Sequence, residues 1–111
     1  MANLLESKQD CRVVLRQNGT LKQSQALQGL IHLFEHRYDD SLPVFWHGVI
    51  ELAGMPQDLE PLLVLVGELS AHVTLDQSGR KGNAFILAAH QKSSGAHAIF
   101  RVAVTGATTL E

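Results

Sequence analysis

The sequence predicts an α+β domain: a mostly antiparallel sheet in the order β-α-β-α-β-β-β, closing in a three-stranded C-terminal meander, with one or two helices packed on it. Three observations carry this expectation. Within Gln23–Tyr38, the residues Leu27, Leu30, Ile31, Phe34 and Tyr38 fall at i, i+3, i+4, i+7 and i+11, the apolar stripe of a helix. After His72 the chain divides into three β-rich runs separated by short glycine-containing loops. Finally, 45% of the 111 residues are apolar and 18% charged, enough to bury a core and unlike a disordered tail. This length corresponds to a single domain, 1–111.

Taken in order, Cys11–Gln17 is a short β-branched run closed by Asn18-Gly19, a strand followed by a turn. Thr20 and Gln23 then form a capping box ahead of the helix Gln23–Tyr38. Asp39–Pro43 ends that helix, because a residue before proline avoids helical geometry. Val44–Leu52 reads as a second strand with Gly48 at a bulge. Asp58 caps a second helix over residues 58–70, although the run Leu62–Val66 fits a buried strand as well. His72–Gln77, Asn83–Gln91 and Ala96–Thr105 complete the meander. The ordered core is expected over about residues 10–105, with both ends frayed. Leu110-Glu111 are open to reading as an expression-vector remnant.

Nine Lys+Arg against eleven Asp+Glu give a formal charge of −2, which argues against a nucleic-acid partner, since counterion release needs a concentrated basic face. The N-terminus has no basic-then-apolar leader and no apolar run approaches the ~20 residues that span a bilayer, so no membrane association is expected. A lone cysteine, Cys11, permits no intrachain disulfide and suits a reducing cytoplasm. With Asp10 beside it, the thiol reads as structural rather than nucleophilic.

Six histidines stand out: His32, His36, His47, His72, His90 and His97. The string His32-Leu33-Phe34-Glu35-His36 has the H-x-x-E-H spacing of an inverted zinc motif. On a helix, His32 and His36 would stand one turn apart to share a metal, and Glu35 could activate its water. With Gly29-Leu30-Ile31 before it, the string resembles the active-site helix of pitrilysin-type metallopeptidases over about eight residues. That resemblance implies a third ligand, a glutamate some seventy-odd residues downstream, where this chain has only Glu111. On the helical wheel both histidines lie away from the apolar stripe, towards solvent or a partner. His47 reads as a partly buried core-edge residue, while His90 and His97 fall opposite each other at the last turn.

Ser78–Gly82 offers glycine backbone with Arg80 and Lys81, a combination suited to an anion, though it lacks P-loop spacing. Ala84–Ala89 and Ala98–Val104 are apolar at nearly every position, which implies cover on both faces or an edge paired with another chain. The leading expectation is therefore a small cytoplasmic, non-catalytic interaction or accessory protein, a homodimer joined through its β-region, needing no cofactor. One alternative is a zinc-binding protein or small metallohydrolase using His32, Glu35 and His36. Another is a small-ligand or anion-binding domain using Arg80 and Lys81.

Overall fold

The structure, a computed structural model, describes residues 3–17, 20–21, 26–54, 59, 69–93 and 98–111. Its elements are β1 (Asn3–Gln17), β2 (Thr20–Leu21), β3 (Leu27–Arg37), β4 (Phe45–Gly54), β5 (Leu69–Leu75), β6 (Lys81–Ser93) and β7 (Ala98–Gly106). Every pairing is antiparallel, and the strands run β1-β3-β4-β7-β6-β5. β5 pairs back onto β1, so six strands close into a barrel, with the two-residue β2 set against Arg16 and Gln17. β1, β3 and β4 form one meander and β5 lies beside its first strand, the Greek-key arrangement.

This corrects the α+β expectation: the described residues form an all-β barrel, and no helix packs on a sheet. The segment read as the first helix, Gln23–Tyr38, is β3 from Leu27 to Arg37; residues 23–25 of that prediction lie outside the described part. Leu27, Gly29, Ile31 and Leu33 point inward and Gln28, Leu30, His32 and Phe34 outward, a period of two. Because Leu30 and Phe34 make the outer face apolar as well, the same residues also satisfy a helical stripe, and periodicity cannot arbitrate. Tertiary pairing does. β1 and β4 hydrogen-bond both edges of β3, and interior Gly29 costs a helix about 1 kcal/mol. The second predicted helix lies outside the described residues except for Leu59, which is buried in the core, and its last two positions, Leu69-Ser70, begin β5.

β1 closes the barrel. Cys11, Arg12 and Val13 pair with β3 on one edge and β5 on the other, whereas residues 3–10 pair with β3 alone. Those N-terminal residues, expected to fray, are regular strand; their polar alternation hid them because their partner was read as a helix. The C-terminal residues are likewise part of the fold. Lys81 and Glu111 exchange main-chain hydrogen bonds at 2.9 and 3.0 Å, and Leu110 packs against the core.

The interior is one apolar core filled alternately from the six barrel strands, including Cys11, Val13 and Leu15 of β1, Ile31 and Leu33 of β3, Trp46, Ile50 and Leu52 of β4, and Phe100, Val102 and Val104 of β7. Gly48 is not a bulge. It sits in regular register between Leu33 and Val104, where a Cβ would come 2.6 Å from the His32 carbonyl oxygen. The register shifts fall instead in β6, at Ile86/Ala88 and Gln91/Ser93. At the first of them Ala88 follows Leu87 onto the outer face, where strict alternation would turn it inward, and Leu87 is 64% exposed.

Candidate functional site: the outer face of β3 and β4 and the edge of β1

The outward residues of β3 and the start of β4 form a continuous aromatic and imidazole surface. His32 packs on Phe34 with ring centroids 4.4 Å apart, and Phe34 stacks on His47 at 5.1 Å. His47 meets His36 at 4.9 Å, His36 stacks on Tyr38, and Tyr38 meets Phe45 edge-on. Register explains the arrangement. His36 lies opposite Phe45 and Phe34 opposite His47, so His36 and His47 are diagonal neighbours, within reach of long side chains. Their Nε2 atoms stand 2.8 Å apart. Between the strands, Asp39 caps the turn: its Oδ1 accepts the Ser41 main-chain N–H at 2.7 Å and the Ser41 hydroxyl, and these bonds hold its carboxyl below the usual carboxylate range.

The His32-Glu35-His36 string does not converge. On a strand rising about 3.3 Å per residue, His32 and His36 lie about 13 Å apart. Glu35 faces the opposite side, where its carboxylate, only 12% exposed, accepts a hydrogen bond from Arg80 at 2.5 Å. His32 pairs across the sheet with Glu6 of β1, Nε2 to Oε1 2.5 Å. Among the described residues no group of three or more His, Cys, Asp or Glu side chains is placed to hold a metal. His47, expected at the core edge, is exposed. Reading β3 as a strand is the signal that would have joined it to His36.

Arg80 and Lys81, the residues of the expected anion site, stand in different surroundings. The Arg80 guanidinium is engaged by Glu35 and the Leu110 carbonyl, and it lines a 510 Å³ cleft together with Leu4, Leu5 and Arg37. Lys81 is exposed in β6, its main chain tied to Glu111. His72 donates from Nδ1 to Asn83 Oδ1 at 2.9 Å. His90 lies opposite Arg101 in β6, and its expected partner His97 is outside the described residues. The Cys11 thiol is fully buried; burial first, then the charges of Asp76 and Asp10, push it up to about 12. On the neighbouring outer face Glu51 accepts from Lys92 at 3.0 Å with Arg101 at 3.7 Å, and the Lys92 bond and charge hold its carboxyl low.

The remaining feature is the edge of β1. Among the described residues, nothing pairs with residues 4–8 on the side away from β3. The Asp10 carbonyl accepts the Asp76 N–H on that side, at 3.0 Å. In an antiparallel strand N–H and C=O of one residue point the same way and alternate, so Leu4, Glu6 and Lys8 turn both groups to the open edge. Leu4 and Leu5 beside it are 55% and 66% exposed. Barrels ordinarily abolish such edges, and an uncovered one is a template for strand pairing.

No helix among the described residues is long and apolar enough to cross a membrane. No protein-family model matches the chain, and no curated protein or solved structure is significantly similar to it.

Proposed function

We propose that this chain is a small cytoplasmic, non-catalytic interaction module that assembles with a second copy of itself through the open edge of β1. The observation that carries the reading is the self-complementarity of that edge. In a twofold antiparallel pairing centred on Ser7, Glu6 lies opposite Lys8 of the second copy, and Lys8 opposite its Glu6. These are the positions whose main-chain groups face the edge, so each such pair exchanges two hydrogen bonds and sets opposite charges about 5 Å apart on one face. The exposed Leu4 and Leu5 would be covered in the same step. An isologous contact of this kind closes at two copies, whereas a head-to-tail contact would continue into fibres.

Other features support the non-catalytic and non-membrane parts of the reading. Two candidate reactive groups are engaged: Glu35 by Arg80, and the Cys11 thiol in the core as a protonated side chain. The barrel is apolar within and carries Glu6, Lys8, Glu51 and Arg101 outside, the reverse of a transmembrane barrel.

Charge exchange tests it. Glu6→Lys and Lys8→Glu each place like charges across the proposed pair, and the double exchange restores opposite ones. In sedimentation velocity at about 10–200 μM, the native chain and the double variant should show twice the chain mass and each single variant a monomer. A native monomer throughout that range, or single variants that dimerise as well as the native chain, would refute the proposal. Pairing rescued only by a different protein's strand would count against self-association too.

A further inference from the structure

We infer that the cleft beside Arg80 binds a small amphipathic monocarboxylate, a ligand with one carboxylate group and a short apolar body. The site goes beyond self-association and rests on the cleft's own lining. β5 leaves β1 after the Cys11–Leu75 pair, and among the described strands residues 3–10 of β1 pair with β3 alone. Beyond that point the turn before β6 is joined to β3 by the Arg80–Glu35 ion pair, and the cleft lies against it. Its 510 Å³ falls within the about 300–1,000 Å³ of small-ligand sites, which favour the mouths of barrels.

Charge selects an anion. Arg37 and Arg80 bring two guanidiniums to the cleft against one carboxylate, Glu35, which is 12% exposed and already held by Arg80. Arg37 is exposed and has no carboxylate partner among the described residues. The Glu35 and Leu110 contacts both fall on Arg80 Nη2, so its Nε–H and Nη1 donors have no partner among the described residues. Glu35 thus positions the Arg80 fork without exhausting it, which lowers the ordering cost of capturing a planar carboxylate. Apolar lining selects the rest of the ligand. Leu4, Leu5 and Val44 lie along the same cleft, and Leu5 is 66% exposed. Register sets the order: Leu5 stands opposite Glu35 and Asn3 opposite Arg37, so apolar and cationic groups fall in neighbouring pairs of one face. A bare inorganic anion would leave the leucines in water, and a neutral apolar molecule would leave the guanidiniums without a counter-charge. A carboxylate on an apolar body satisfies both.

Self-association would cover the same Leu4 and Leu5, so the test uses the full chain carrying Lys8→Glu, in which like charges oppose that pairing. Lys8 itself lines a separate pocket on the outer face. Octanoate is titrated by calorimetry, with acetate and inorganic phosphate as anion-only controls and octanol as the apolar-only control. We expect one octanoate per chain, half-saturating below about 100 μM, and each control at least about tenfold weaker. Nuclear Overhauser contacts from the octanoate chain should reach the methyl groups of Leu4, Leu5 and Val44. Arg37→Gln and Leu5→Asn should each weaken binding about tenfold or more, whereas Lys92→Gln, which removes a like charge outside the cleft, should leave it unchanged. Arg37 and Leu5 are exposed, so a circular dichroism spectrum and melting curve separate lost binding from lost folding. Failure to saturate below the millimolar range, octanol or phosphate binding as tightly as octanoate, or an Arg37→Gln variant that binds as its parent does would overturn the site. The oligomeric state of the native chain enters none of these results, so a native monomer in sedimentation would refute self-association and leave the ligand result standing.

Discussion

Gly106→Ala is the substitution whose outcome the barrel fixes most tightly. Gly106 ends β7 beneath the indole of Trp46, which closes one end of the core. A Cβ built on Gly106 would lie 2.3 Å from Trp46 Nε1 and 2.6 Å from both Cδ1 and Cε2. Ordinary heavy-atom contacts are about 3.5–4.0 Å, so the ring must retreat by about 1 Å or more. The indole cannot do so for nothing, because Nε1 donates to the Thr108 carbonyl at 2.7 Å, and such a retreat takes the pair beyond hydrogen-bonding range. Overpacking costs about 1–3 kcal/mol and the lost bond about 1 kcal/mol, so a loss of about 2–4 kcal/mol is expected. Backbone entropy works in the opposite direction: where the backbone tolerates it, alanine for glycine stabilises by about 0.4–1 kcal/mol. The sign therefore reports the clash. Trp46 is the only tryptophan, so urea unfolding followed by its fluorescence gives both stability and environment. The native emission should shift to the red as the ring moves outward. In a Trp46→Phe background the smaller ring makes room, and the same glycine substitution should cost less than about 1 kcal/mol by circular dichroism. A loss below about 0.5 kcal/mol with unchanged emission would refute the reasoning.

Two further perturbations test the interior. Arg80→Ala strands the Glu35 carboxylate at 12% exposure, and a cost of about 1–3 kcal/mol in urea unfolding is expected, above the 0–1 kcal/mol of an exposed pair; adding Glu35→Gln should recover most of it. The Cys11 thiol, raised to about 12 from 9.0, stays protonated in the folded chain while the unfolded chain loses its proton. Above pH 9 the unfolded state thus binds fewer protons, so stability falls as pH rises towards 12, by at most about 1.4 kcal/mol per unit. That slope should flatten in Cys11→Ala, and a slope identical in both chains would sink the account. The native thiol should also resist an aromatic disulfide reagent until the chain is unfolded.

The residues themselves determined a good deal of this molecule. The β-rich runs after His72 lie where β5, β6 and β7 lie, because their β-branched content and glycine loops are local signals. The lone cysteine and its acidic neighbour were enough to mark Cys11 as inert. What the sequence could not decide was the state of residues 27–37. Leu27, Leu30, Ile31, Leu33 and Phe34 populate both faces, so they satisfy a period of 3.6 and a period of two alike. Only pairing with β1 and β4, contacts remote in the chain, resolves the ambiguity. The candidate sites inherited that uncertainty. A helix would have gathered His32 and His36 on one side near Glu35; the strand separates them, sends Glu35 to Arg80 and brings His36 to His47 across a turn. The edge of β1 that no described residue pairs with was equally invisible, since an edge is defined by which strand is not beside it. Local propensity marked the runs after His72 as β-prone, but closure of the barrel settled which side chains are buried and which meet, turning Leu30 and Tyr38 of the expected apolar stripe outward, because register and edge are properties of strand pairs and not of a segment alone.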